Sequence, residues 1–228
     1  RPNPFSMTCL GTKENSMLRY LYASQLHDHP KLARSMFRDR ADQFKTRLGW
    51  DVTVDDAGEE RDDYDALNPM YVIWEQLDGT HGGSMRFLPT TGRTMINDHF
   101  SHLLGGGTIT SPLIWECTRF CLNKNGSGQV AAALMLGGGE IMNGFGISHF
   151  VGVFDARMVR IYRMIGSSPD VLGSAGEGKD CISVGLWDFT PQAQAKVAKR
   201  AGLSLDLSRL WFHRAFGQAP EQFRAAVG

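Results

Sequence analysis

From Leu32 to Leu48 the apolar residues Leu32, Met36, Phe37, Ala41, Phe44 and Leu48 recur at spacings of three and four, which predicts a helix with one buried stripe. Arg34, Arg38, Asp39, Asp42, Lys45 and Thr46 take the other side. Arg40 breaks the pattern. It falls inside the stripe, between Met36 and Phe44, where a hydrophobic residue belongs. A guanidinium cannot shed its proton, so on a packed face it needs carboxylate or ligand partners. Glu59-Glu60-Arg61-Asp62-Asp63-Tyr64-Asp65 supplies candidates just downstream. A cationic helix face, the aromatic pair Phe44 and Trp50, and nearby carboxylates predict a pocket for a charged, partly flat ligand.

Further along, Trp50–Val54 predicts a short strand and 55–65 an exposed acidic loop. Met70–Gln76 and Ser84–Leu88 alternate as strands around Asp78-Gly79, a hairpin signal. Residues 94–104 predict a helix closed by Gly105-Gly106-Gly107. Residues 113–122 form the strongest strand pattern, and 123–128 a Gly/Asn/Ser turn. Helices follow over 129–145, 156–165 and 191–201, with strands over 148–155 and 181–189. Gly137-Gly138-Gly139 weakens the first of these helices by roughly 1 kcal/mol per glycine. The order is helix, antiparallel strands, then alternating strand and helix. It predicts an α/β fold, a three-layer αβα sandwich around a mixed sheet. Residues 17–228 read as a single domain with an unassigned tail after 202, and 1–16 as an N-terminal extension or added sequence. Met17 could equally begin the chain, ahead of the strand-like Leu18–Tyr22.

Composition narrows the function. At 228 residues and 42% hydrophobic content the chain can bury a sizeable core. Lys plus Arg and Asp plus Glu are equal at 24 each, so no overall field draws nucleic acid or an anionic membrane. No apolar run reaches the ~20 residues of a membrane helix. Cys9, Cys117, Cys121 and Cys181 lack metal-binding spacing and read as free thiols in a reducing cytoplasm. Cys117 and Cys121, four apart in one strand, are expected to point the same way. No metal site is expected.

Four blocks then carry more than a pattern. The first two are Arg40-x3-Phe44-x2-Arg47-Leu48-Gly49-Trp50-Asp51-Val52 and Glu60-x-Asp62-x-Tyr64-Asp65-Ala66-Leu67. The others are Met85-Arg86-Phe87-Leu88-Pro89-Thr90-Thr91-Gly92 with Phe100, and Trp115-Glu116-x2-Arg119-Phe120. Together, in this order, they resemble the acyl-homoserine-lactone synthases, the autoinducer synthases of bacterial quorum sensing. The resemblance implies a fold related to the GCN5-type N-acetyltransferases, with a partly splayed sheet. It implies that S-adenosylmethionine and an acyl thioester, on acyl carrier protein or coenzyme A, are joined into an acyl-homoserine lactone with release of methylthioadenosine. Adenosylmethionine is then a substrate, and no cofactor is expected.

Residue by residue, the resemblance assigns Arg40, Phe44, Trp50, Asp62, Asp65, Arg86 and Phe100 to the adenosylmethionine site, and Glu116 and Arg119 to catalysis. Glu116, mid-strand among apolar neighbours, is the candidate base, because burial raises a carboxyl pKa; its alternative is a structural partner of Arg86 or Arg119. Glu116 and Arg119 are three apart, so they share a cleft only if the strand is bulged or splayed. Gly152 falls where synthases preferring 3-oxo chains often carry threonine. Glycine lacks a donor and is expected to leave room, which predicts an acyl group without a 3-oxo substituent; a longer or bulkier chain, branched or aromatic, could use that room, and the alternative is that Gly152 only relieves crowding against the adjacent helix. The turn at 123–128 could seat a phosphate or be a plain turn, and Arg157, Arg160 and Arg163 could dock an acidic carrier or be a solvated face. The rivals are an N-acyltransferase of the same fold acting on another amine, and a non-catalytic binding module.

Overall fold

The computed structural model describes residues 16–217. The expectations for residues 1–15, including Cys9, and for the last eleven residues lie outside the described range. Seven strands form one sheet in the order β1-β2-β3-β4-β5-β7-β6. They are β1 Met17–Tyr22, β2 Met70–Glu75, β3 His81–Pro89, β4 Ile114–Leu122, β5 His149–Asp155, β6 Asp170–Ala175 and β7 Ile182–Trp187. All neighbours run antiparallel except β4 and β5.

Helices cover both faces, as the expected sandwich requires. On one lie α1 Pro30–Ala41 and α2 Met95–His99; on the other are α3 Gly128–Phe145, α4 Ala156–Ile165, α5 Pro191–Ala201 and α6 Leu205–Phe216. Strand alternation sorts the core between them. Tyr71 and Ile73 pack on Leu32, Met36 and Phe37 of α1, while Val72, Met85 and Phe87 pack on Leu134 and Ile141 of α3 and Phe212 of α6.

Several expectations are corrected. The predicted helix over 32–48 is α1 followed by a π-helical turn, Asp42–Arg47. Trp50–Val54 is no strand: its one ladder contact is an isolated bridge from Val54 to Glu60. The acidic loop is not exposed throughout: Glu60 and Tyr64 are buried while Arg61 and Asp63 are exposed, and Asp63–Leu67 forms a 3-10 turn. The helix expected over 94–104 breaks at Phe100 into α2 and a 3-10 turn, which Gly105 ends at φ +65°. β6, an exposed edge strand, and α6 carry patterns too sparse to predict.

Two irregularities in β4 prepare the site. β4 and β5 pair only from Ile114–His149 to Glu116–Val151. Beyond Glu116, β4 stays with β3 and β5 with β7, so the sheet splays. Ser84 pairs with Cys121 but Arg86 with Thr118, so Met85 alone faces Arg119 and Phe120. This is a β-bulge, with Arg119 at φ +53°. The extra residue flips the side-chain parity of the strand. Cys117 and Cys121 therefore point to opposite faces, against expectation: Cys117 Sγ lies 3.8 Å from Met85 Sδ on the α3 side, while Cys121 faces Asp39, Arg40 and Glu60.

Candidate active site

Arg40 is fully buried and its partners are the expected carboxylates. Its Nε donates to Glu60 Oε2 at 2.6 Å, and Nη1 and Nη2 reach both oxygens of Asp65 at 2.9 Å. Arg86, also fully buried, reaches Thr118 Oγ1 at 3.0 Å through Nε, and its terminal nitrogens hold Asp62 at 2.5 and 2.9 Å and Asp65 at 2.8 Å. The bulge turns Arg119 to the same face, where Nη2 lies 2.9 Å from Glu60 and 2.7 Å from Asp62. The result is a neutral lattice of guanidiniums and carboxylates, each charge met by opposite ones. Burial alone would raise the Asp65 carboxyl, but Arg40, Arg86 and the Tyr71 hydroxyl hold it well below the usual carboxylate range.

Local turns fix this lattice. Asp62 caps the 3-10 turn that follows it, accepting from the Tyr64 and Asp65 amides at 3.0 and 3.2 Å. The π-helical turn brings Gln43 to the open edge of β4, where its side-chain amide donates to Phe120 O at 2.9 Å and accepts from Leu122 N at 3.0 Å. Gln43 thus takes the place of the strand that splays away. The next residue, Phe44, stacks on Trp50 with ring centroids 5.1 Å apart and carries the Arg119 guanidinium at 5.3 Å.

A cavity of about 740 Å³ passes through the sheet at the splay. On the α1 and α2 side its walls include Phe44, Trp50, Asp62, His99, Phe100 and Arg119. On the α3 and α4 side they include Met85, Phe87, Gly138, Met142, Phe150 and Trp187. Of the charged lattice, Asp62 and Arg119 form the wall, and Arg40, Glu60, Asp65 and Arg86 stand behind them. Glu60, Tyr71 and Thr118 were not among the expected site residues. Glu60 sits within the acidic motif itself, and the need of Arg40 for buried carboxylate partners is the signal that points to it. His99, also on the wall, carries no motif that sequence alone could flag.

Glu116 is buried and stands behind Met95 and Cys117 rather than on the wall. Its partners are neither Arg86 nor Arg119. Oε1 accepts from Ile96 N at 2.6 Å and Oε2 from Met95 N at 3.1 Å, the first amides of α2. Burial pushes the carboxyl up to about 6 in spite of those amides.

Gly152 does line the cavity, but the room expected beside it is absent. A Cβ there would stand 2.8 Å from Cys117 O and 3.4 Å from the Trp187 ring, because β4 is still closing on β5 at that point. A second constellation, Ser84–His81–Asp39, has the contacts of a hydrolytic triad, at 2.9 and 2.7 Å. His81 and Ser84 are buried away from the cavity walls, so no substrate carbonyl can reach the hydroxyl. Among the described residues no helix is long and apolar enough to cross a membrane.

Comparisons with known proteins bear on the same blocks. The family model of the autoinducer synthases matches residues 23–197. The acyl-homoserine-lactone synthase of Rhizobium etli is 42% identical over 181 residues, covering 76% of this chain and 85% of that one. The corresponding enzyme of Agrobacterium fabrum is 34% identical over 151 residues, 62% of this chain and 71% of that one. Among solved structures, the acyl-homoserine-lactone synthase LasI superposes with TM-score 0.70 at 26% identity, covering 81% of this chain and 95% of LasI. An acyl-CoA N-acyltransferase from Pseudomonas aeruginosa, 12% identical at TM-score 0.51 over 76% of this chain and 99% of its own, shares the fold alone. With a match running from the turn after β1 into α5, and a relative this similar along most of both chains, the chain belongs to the autoinducer synthase family.

Proposed function

We propose that this chain makes an N-acyl-homoserine lactone from S-adenosylmethionine and an acyl thioester. The observation that carries the reading is the cavity that crosses the sheet: Asp62, Arg119 and aromatic rings on one side, and on the other apolar walls of Met85, Phe87, Met142 and Phe150 with Asp155, Arg157 and Lys179 also lining it. Two unlike substrates can thus meet at the splay. Phe44, Trp50, His99 and Phe100 suit a purine, and Asp62 suits the sulfonium and ammonium cations, while the apolar end suits a fatty chain. The Rhizobium etli relative is an acyl-homoserine-lactone synthase by name, and a solved relative of 25% identity, MesI, is described as CoA-dependent. For this chain the donor is an acyl thioester on acyl carrier protein or coenzyme A.

The amine attacks the thioester carbonyl, an amide bond forms, the C–S bond breaks, and the departing thiolate finally takes up the proton that the amine loses. The amine proton passes to Glu116, by way of a water because the carboxylate stands one layer behind the wall; each oxygen keeps a lone pair beyond the one used on α2. The methionine carboxylate then attacks its own γ-carbon. The C–O bond closes the lactone, and the C–S electron pair departs with neutral methylthioadenosine. The sulfonium is its own leaving group, so neither step calls for a metal or redox cofactor. Both substrates are cytoplasmic metabolites, and we place the enzyme there. The balanced overall charge gives no reason to invoke nucleic acid or membrane as partners.

Mass spectrometry of medium from cells expressing the chain tests this. An acyl-homoserine lactone absent from control cells is expected; an N-acylated product of another amine would move the chain to the plain acyltransferases.

A further inference from the structure

Two of the buried hydroxyl groups that line the cavity are already committed: Tyr64 donates to Asp98 at 2.8 Å, and Thr118 accepts from Arg86 at 3.0 Å. Two others line it from the end of α4 and are not. Tyr162 and Ser167 are 7% and 6% exposed. Neither hydroxyl has a hydrogen-bond partner among the described residues, and neither is among the polar atoms that packing seals off. They therefore open on the cavity that their residues line. Buried hydroxyls without partners are costly, so the pair calls for an occupant.

The surroundings place these groups beside the splay. The Gly166 and Ser167 amides both donate to Tyr162 O, at 3.0 and 3.1 Å, which folds Ser167 back on the turn that carries Tyr162. The Tyr162 ring packs edge-on against Trp187 and Phe154, with centroids 5.1 and 5.5 Å apart. Trp187 in turn faces Gly152, whose Cβ would stand 3.4 Å from Cζ3 of the indole. Cys117, across the splay, is near enough to act on the Tyr162 hydroxyl by charge. Gly152 and Cys117 are the first residues past the last β4–β5 pair, Glu116–Val151. The carbons next to the thioester pass this point. Other polar groups on this wall are occupied or at the surface: Asp155 is bonded to Arg157, and Lys179 and Asp180 are exposed. Trp187 Nε1 is sealed off, so the indole offers only its ring. Burial pushes the Tyr162 phenol up, which keeps its proton in place for donation.

We propose that Tyr162, assisted by Ser167, is a specificity-determining residue: its hydroxyl donates to an oxygen carried on the acyl chain near the thioester, as a hydroxyl or a keto group. The donor that β5 lacks at Gly152 is thus supplied from α4. A chain without that oxygen leaves both hydroxyls unpaired, and a site built for a hydrogen bond discriminates against such a chain. The inference rests on the function proposed above and names its acyl class.

The test uses the purified chain, adenosylmethionine, and acyl thioesters in matched sets (saturated, 3-hydroxy and 3-oxo) at several chain lengths, on coenzyme A and on acyl carrier protein. Wild type should favour an oxygenated donor over the saturated one of equal length by about tenfold or more in kcat/KM. Tyr162→Phe keeps the ring and removes the hydroxyl. It should erase most of that preference, leave kcat/KM for the saturated donor within about threefold of wild type, and keep or raise Tm. Ser167→Ala should weaken the preference less. A preference for the hydroxyl or for the keto donor supports the inference alike and identifies the oxygen. A wild type that prefers saturated donors overturns it. So does a Tyr162→Phe variant with the preference intact, which would mean that the hydroxyl only holds water, or one that loses activity equally with every donor, which would make the ring structural. A wild type that makes lactone from none of the donors would instead overturn the underlying function.

Discussion

Asp62 and Arg119 touch the cavity, whereas Glu116 acts from behind it, and this division decides what single substitutions do. Glu116→Gln keeps size and removes basicity, so turnover should fall roughly a hundredfold or more while Tm changes little. The pH profile is the sharper readout. Burial holds the Glu116 carboxyl at about 6, so kcat/KM should rise with pH through that value and level off above it. The Gln variant should lose that limb. The linked effect on stability has the opposite sense: a carboxyl whose folded pKa is raised stabilises in its protonated form, and that contribution disappears as pH climbs through about 6. If the limb survives in Glu116→Gln, the base is another group. At Gly152 a different outcome is expected from the one its position in the family suggests. Gly152→Thr would drive a side chain against Cys117 O, forcing β4 from β5. Activity should drop with every donor and Tm should fall; a clean change of acyl preference at unaltered Tm would contradict this.

At the scale of elements, the bulge and the splay of β4 make the site, and Gln43 holds both. Gln43→Ala strips Phe120 O and Leu122 N of their partners, a cost of about 1–3 kcal/mol. Because Arg119 and Phe44 adjoin those atoms, KM for adenosylmethionine should rise more than kcat falls, measured by initial rates under saturating donor. A variant with lower Tm but an unaltered KM would make Gln43 purely structural. Much of this was legible in advance. Arg40 in an apolar stripe demanded buried carboxylates, and Glu116 and Arg119, three apart, demanded a bulge or a splay; β4 carries both. The same bulge entails the parity flip that separates Cys117 from Cys121, a consequence that four-residue spacing alone does not show. β6 was not legible because an exposed edge strand has no buried face to impose a pattern, and α6 because its apolar residues pack on β1 and α3 far away in sequence. That Arg40, Asp65 and Arg86 would stand behind the wall depends on three-dimensional depth, which spacing does not encode.

Across the whole molecule, the charged lattice ties α1, the acidic turn, β3 and β4 together, so it carries stability as well as shape. Asp65 is its hub, bonded to Arg40, Arg86 and Tyr71. Asp65→Asn leaves buried guanidiniums short of a counter-charge and should cost about 3–5 kcal/mol in denaturant unfolding. With its carboxyl depressed in the fold, Asp65 stabilises at pH above the ordinary carboxylate value near ~4, and that contribution is lost progressively as pH falls below it. Wild type should therefore lose stability on acidification more steeply than the Asn variant; parallel curves would show that the lattice does not carry the fold.

The central claim, that the two ends of one cavity feed a single two-step reaction, is tested most directly by product stoichiometry. Purified protein given adenosylmethionine and an acyl thioester should release free thiol, methylthioadenosine and acyl-homoserine lactone in equal amounts. Thiol and amide without methylthioadenosine would mean that the chain acylates but never closes a lactone, and would contradict the account.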